Sequence, residues 1–326
     1  MKEIASAGGG SLLLRLRGRE QAAIDEAMRT IGDRDADAKA RVELIRLAGE
    51  LQLKELPNVL FDVTSSDVEA EVMSASMAAL QTYADPKVAS WAVDNYASLN
   101  ATNQKLAQEL LASRLPWVRA MLDGIENEDV DPLSISIETV RKCLLLAGED
   151  AELRSAIESR WGEGIAGETT ETMKQEVARL STLLNNQAGD VYQGQKLFRS
   201  NCGKCHKLFI DGGDIGPDLT TYQRSDVSTM ALNIVNPSAE IREGFENYLV
   251  LTDEGRLITG LMVDRDNKVV VLRSAEGQTV TIDRDSIEES RVLGRSLMPE
   301  GLLNDLSDEQ IIDLFAYLRS TQPLNN

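Results

Sequence analysis

The residues in this chain whose types and spacing could do chemistry stand together in "RSNCGKCHKLF" (199–209). Cys202 and Cys205 are three apart, His206 follows at once, and it is the only histidine among 326 residues. Three chemistries use cysteines at this spacing. A structural zinc ion needs four ligands, usually cysteine or histidine, and the one remaining candidate, Cys143, lies in a different part of the chain. Dithiol exchange of the thioredoxin kind needs a βαβ setting, whereas here a helix precedes the motif and a glycine-rich loop follows. Covalent haem attachment fits the spacing. Cysteines at i and i+3 of a helical turn share a face and can reach two vinyl groups of one porphyrin. The next residue then offers its imidazole to the iron. Three cysteines and one histidine placed at random would form this pattern on the order of 10⁻⁴ times or fewer.

The elements that must position the motif read as follows. "DVYQGQKLFRSN" (190–201) is a short helix leading into the cysteines, and "DGGDIGPDLT" (211–220) is the glycine-rich loop after them. "SDVSTMALNIVNP" (225–237) is a helix with Ser225 as its N-cap, stopped before Pro237. The period then changes to two: "ENYLVLT", "RLITGLMV", "KVVVLR" and "QTVTI" alternate apolar and polar residues, separated by "DEG", "DRDN" and "SAEG" turns. This predicts a four-stranded antiparallel meander at about 246–290. "RSLMPEGLLNDLSDEQIIDLFAYLRS" supplies a loop holding Met298 and a last helix capped by Ser307, with Asp308 and Glu309 in its first turn.

Upstream, residues 19–162 are helical throughout. "ARVELIRLAGELQ", "EVMSASMAALQTYA", "NQKLAQELLASR" and "IETVRKCLLLAG" place apolar residues at i, i+3, i+4 and i+7. Each is followed by a second short amphipathic stretch, three of which carry a proline near the start, where its missing N–H costs a helix little. The period is near 31–34 residues, so a HEAT-like α-solenoid is expected. Trp91, Trp117, Trp161, Met73, Met77 and Met121 read as packing anchors, and Cys143 as a buried, inert thiol. The expected fold is therefore mainly α. It comprises a HEAT-like repeat domain (1–162), a helical linker (163–187) and a helical domain with an inserted β-meander (188–326).

Bulk properties exclude several classes. With 34 basic against 53 acidic residues the net charge is −19, which repels nucleic acid and anionic membranes. Residues 188–326 hold 14 basic and 22 acidic residues (−8), leaving −11 upstream, so the acidity is spread over both halves. No apolar run approaches the ~18–20 residues of a membrane span. The opening "SLLLRL" is too short for a secretory h-region of ~7–15 residues.

"GQKLFRSNCGKCH", "GPDL", "LMPEG" and "LSDEQIIDLFAYLRS" stand in the order and character of a class I cytochrome c. The resemblance covers residues 188–245 and 292–322 and is interrupted by the meander, which cytochromes of this type normally lack. With "NIVNPSAEIREGFENYLVLTDEGRLITG" and the upstream repeats, the chain more closely resembles planctomycete and verrucomicrobial proteins with a cytochrome c-type haem-binding domain. There the domain often ends long secreted proteins whose N-terminal part resembles a dehydrogenase propeller.

The resemblance implies haem c bound through Cys202 and Cys205, with His206 as proximal and Met298 as distal iron ligand. Pro217 is expected to accept a hydrogen bond from His206 Nδ1, and Gly194 and Phe198 to pack against Tyr317 where the first and last helices cross. Met230 and Met262 rival Met298, but neither lies in a loop before the last helix. Tyr222 and Arg224 are candidates for the haem propionates, since arginine pairs well with carboxylates. The expected function is one-electron transfer, with a redox partner protein or an upstream dehydrogenase domain as donor. The expected location is extracytoplasmic, such as the periplasm, with the export signal on a longer precursor. Two alternatives stay open: a gas sensor or weakly ligated haem enzyme with an open distal site, and a helical-repeat docking scaffold.

Overall fold

A computed structural model describes residues 12–65, 68–165, 170–185, 187–275 and 277–324. Residues 166–169 and 186 of the expected linker, and Glu276 of the "SAEG" turn, lie outside the described residues. The chain is mainly helical with a small antiparallel sheet, and it divides into two compact units, 1–161 and 162–326.

The first unit is built from short helices. They are α1 (Leu12–Arg17), α2 (Gln21–Gly32), α3 (Ala38–Glu50), α4 (Leu56–Thr64), α5 (Ala70–Leu80), α6 (Pro86–Asn95), α7 (Ala101–Leu111), α8 (Leu115–Glu126), α9 (Ile137–Ala147) and α10 (Ala151–Ile165). Their starts carry the expected chemistry. Asp37, Asp85, Asn100 and Ser136 accept from backbone N–H groups in the first turns of α3, α6, α7 and α9. α4, α6 and α8 have proline in their first two positions. Alternate helices pack on one another, α3 on α5 and α5 on α7, α2 on α4 and α6 on α8. Trp91, Trp117, Met73, Met77 and Met121 are buried in this packing. Phe61 and Trp91 stack at 6.0 Å, and the Trp161 indole donates to the Pro132 carbonyl. Cys143 is buried, and desolvation pushes its thiol up to about 12, so it stays protonated and inert. α10 bends at Gly162, where φ is 3° and ψ is −85°.

In the second unit, α11 (Thr170–Leu183) packs against α13 (Val227–Val235), and α12 (Val191–Asn201) crosses α14 (Asp308–Leu318). The crossing is close because residue 194 is glycine: a Cβ there would stand 1.9 Å from the Asp313 carbonyl oxygen and 2.8 Å from Tyr317 Cβ. Phe198 and Tyr317 meet beside it, ring centroids 5.5 Å apart, both buried with Leu208, Ile311, Leu314, Phe315 and Leu318. Ser307 caps α14 through a capping box with Gln310.

Two local expectations are corrected. The N-cap of α13 is Asp226, not Ser225. Its carboxylate accepts from the N–H groups of Ser228 and Thr229 and from the Thr229 hydroxyl, and a negative charge suits a helix start better than a hydroxyl does. The sheet has five strands, not four. Between β1 (Lys207–Leu208) and β2 (Asp211–Gly212) runs a separate small hairpin. The main sheet comprises β3 (Asn247–Thr252), β4 (Leu257–Arg265), β5 (Val269–Arg273), β6 (Thr279–Asp283) and β7 (Ile287–Val292), in the order β6-β5-β4-β3-β7. β7 returns past a 3₁₀ turn at Arg284–Ser286 to pair with β3, Tyr248 opposite Val292. One face of the sheet buries Val250, Ile258, Val270, Leu272 and Ile282. β7 is mostly exposed and lacks apolar alternation, so its ladder hydrogen bonds rather than a buried face hold it.

Candidate functional site

α12 delivers the motif. Its apolar face buries Phe198 in the crossing, and the helix ends at Cys202, whose N–H donates to the Phe198 carbonyl. One further turn follows, with the N–H groups of Cys205 and His206 both donating to the Cys202 carbonyl at 3.1 and 2.9 Å. This turn puts Cys202, Cys205 and His206 at successive positions around one short bend.

The chain then makes the β1–β2 hairpin and returns along the motif. Gly213 N–H donates to the Gly203 carbonyl and Gly216 N–H to the Cys205 carbonyl, at 2.8 and 2.7 Å. The return brings Pro217 beside the histidine, whose Nδ1 lies 3.0 Å from the Pro217 carbonyl oxygen. A carbonyl can only accept, so Nδ1 carries the proton. The lone pair is then on Nε2, which makes no hydrogen bond among the described residues. Gly216 lies flat against the ring: a Cβ there would fall 2.6 Å from Cε1 and 2.8 Å from Nδ1. Burial lowers the imidazole pKa, and the Pro217 hydrogen bond only partly opposes it, so the ring is neutral at pH 7. Burial also pushes the Cys202 thiol up to about 11, with the neighbouring Cys205 adding to the rise. Both Cys202 and Cys205 are half-buried and not joined in a disulfide.

An aspartate missed by the sequence reading braces this arrangement. Asp211, on β2, accepts from Gln195 Nε2 at 2.7 Å, from Arg199 Nη2 at 2.9 Å and from the Tyr317 hydroxyl at 3.3 Å. It thereby ties the hairpin after His206 to both α12 and α14. Burial alone would raise this carboxyl, but hydrogen bonds from Arg199 and Gln195 outweigh it and hold the group below the usual carboxylate range. No local signal marks Asp211, because its partners lie on two other elements. Gly216 did carry a signal, as the first residue of "GPDL".

The remaining predicted residues have the following partners. Met298 is half-buried in the loop between β7 and α14, its N–H donating to Ser296 Oγ, while Ser296 N–H donates to Ser238 Oγ beyond α13. Arg224 lies at the end of α14, where Nη1 donates to the carbonyls of Leu318 and Ser320 at 2.7 and 2.9 Å, and its guanidinium lies 5.2 Å from the centre of the Phe209 ring. Tyr222 accepts from Arg242 through its hydroxyl at 2.7 Å, with the same arginine over its ring. Met230 packs against the apolar cluster of the unit, and Met262 against the buried face of the sheet.

Among the described residues, no group of three or more His, Cys, Asp or Glu side chains is placed to hold a metal ion. No described helix is long and apolar enough to cross a membrane. The chain matches no protein-family model, and comparison with curated proteins finds no match to it. The site therefore offers one neutral nitrogen donor with a fixed tautomer, and two thiols within the same turn.

Proposed function

We propose that residues 188–326 form a covalent haem c domain of cytochrome c type that transfers single electrons, joined to a HEAT-like α-solenoid in residues 1–162. The observation that carries the reading is the state of His206. Its Nδ1–H is held by the Pro217 carbonyl, its Nε2 is left without a partner among the described residues, and Gly216 lies against the ring one turn from both thiols. That donor set fits a haem. Cys202 and Cys205 would form the thioethers, and His206 Nε2 and Met298 would bind the iron. When bound, the group supplies a one-electron couple at iron, whose potential methionine ligation raises.

The protein residues do the rest. Pro217 keeps the proton on Nδ1 and sets the plane of the imidazole, as an outer hydrogen-bond acceptor does for a ligating histidine. Asp211 holds the hairpin that follows the ligand against α12 and α14. Tyr222 and Arg224 would reach the haem propionates: Arg224 Nη1 donates to the carbonyls that end α14, while its buried Nε has no partner among the described residues. The alternate packing of short helices at a period near that of the sequence repeat supports the solenoid reading, with a docking role for it. In this account the chain is an extracytoplasmic part of a larger secreted, dehydrogenase-like protein. It accepts electrons from a dehydrogenase domain or a separate redox partner.

An optical spectrum tests the ligation. The expected result is a low-spin ferric spectrum with the weak long-wavelength methionine-to-iron band, lost in Met298→Ala. A high-spin spectrum in the unaltered protein that shifts with carbon monoxide would refute six-coordination and favour a gas-binding site.

A further inference from the structure

The inserted sheet touches the loop behind His206. Arg273, the last residue of β5, reaches Asp214 with Nη1, which lies 3.2 Å from the carboxylate Oδ1 and 3.4 Å from the backbone carbonyl oxygen. In the β5–β6 turn, Gly277 sits over Ile215, close enough that a Cβ there would come within 3.3 Å of Ile215 Cδ1. Ile215 is only 7% exposed. Ser274 N–H donates to the Gln278 carbonyl and Gly277 N–H to the Ser274 carbonyl. Asp214 and Ile215 immediately precede Gly216, which lies against the imidazole, and Pro217, whose carbonyl holds Nδ1. The loop 214–217 is thus held from both sides. The Cys205 carbonyl accepts from Gly216 N–H on one, and the sheet bears on Asp214 and Ile215 on the other.

We infer that the inserted sheet is a clamp on this loop, and that Arg273 is a positioning residue that sets the His206–Pro217 hydrogen bond through Asp214 and Ile215. The inference rests on the haem reading above. It gives the insertion a task that a cytochrome domain without one leaves to the loop alone.

The consequence has a sign. A strong Nδ1–H···O=C bond makes the imidazole a better donor, which favours ferric iron. Loosening the loop weakens that bond and raises the midpoint potential. A purely electrostatic role for the Arg273–Asp214 pair predicts otherwise: losing the cation lowers the potential, losing the carboxylate raises it, and losing both cancels.

The test is the midpoint potential of the full haem-loaded chain carrying Arg273→Ala, Asp214→Ala, both together, or Arg273→Lys. The clamp predicts a rise in Arg273→Ala and a smaller rise in Asp214→Ala, which keeps its backbone carbonyl. The double variant should match Arg273→Ala, and Arg273→Lys should return most of the way to the parent. Shifts of opposite sign that cancel in the double variant, or no shift in any of them, would overturn the clamp and leave the haem reading intact. Should Arg273→Ala not fold, Arg273→Gln decides the matter: it drops the charge but can still donate to the Asp214 carbonyl, so the clamp predicts a potential near the parent's and a purely electrostatic role a fall. A chain with no thioether-bound haem overturns the haem reading first, and the clamp with it.

Discussion

Replacing Gly194 by alanine perturbs the crossing on which the whole second unit is hung. In an exposed helix interior this change would stabilise, since glycine costs about 0.8–1.0 kcal/mol relative to alanine. Here the added Cβ would stand 1.9 Å from the Asp313 carbonyl oxygen, 2.7 Å from its carbon and 2.8 Å from Tyr317 Cβ. The first two are backbone atoms of α14 and have no rotamer in which to escape. Relief requires α12 and α14 to part by roughly 1.5 Å at this point, and a gap of even 0.5–1 Å forfeits a quarter to a half of each dispersion contact. The contacts at stake are those of Phe198, Ile311, Leu314, Phe315 and Tyr317, each no more than 1% exposed. Overpacking of this kind costs about 3 kcal/mol or more at its upper range. Set against the propensity gain, the net loss is about 2–3 kcal/mol. For a unit of this size that is a fall of about 4–12 °C in Tm. Differential scanning calorimetry of the full chain reads it, with Gly294→Ala as control, because a Cβ at 294 meets nothing within 4 Å. A Gly194→Ala protein that melts at or above the parent temperature would refute the close crossing.

Two further outcomes follow from named contacts. The Asp211 carboxyl is held below its usual pKa, so its contribution is fully present above the unfolded value near 3.8 and fades as pH falls through the lower folded value. Asp211→Asn should therefore be less stable than the parent at neutral pH and show a flatter acid limb in Tm against pH, whereas parallel curves would contradict the assignment. Arg224→Ala removes two charged donations to the carbonyls that end α14. Both come from one nitrogen, so the pair counts as one hydrogen bond to a charged group, about 1.5–3 kcal/mol, and urea unfolding should show a loss of that size. Parent-like stability in Arg224→Ala would contradict the two donations.

What could be read in advance was what is local in the chain. Prolines at helix starts, Ser307 before α14, the alternation of β3 to β6 and the compact Cys202–His206 motif each declare themselves within a few residues. Gly194 and Tyr317 were legible only through a family resemblance, since a crossing of two helices 120 residues apart leaves no periodic trace. β7 escaped because "IEESRV" is an exposed edge strand without alternation, and its partner strand lies some forty residues earlier. Asp226 displaced Ser225 as a cap because two adjacent capping residues look alike until the backbone chooses between them. Asp211 escaped for a different reason. A half-buried carboxylate is explained by its donors, and two of these sit 16 and 106 residues away on α12 and α14. The two donations of Arg224 to the end of α14 were not legible, because that helix end is formed by the far end of the chain.

The most direct measurement is the mass of the denatured chain after production in a host that attaches haem to Cys-x-x-Cys-His motifs outside the cytoplasm. The account predicts a mass increase of one haem that survives denaturation and acid extraction. The increase should be lost when Cys202 and Cys205 are both changed to alanine, and kept when the lone buried Cys143 is changed. A chain that emerges at its unmodified mass under those conditions, or whose haem is extracted intact, would contradict it.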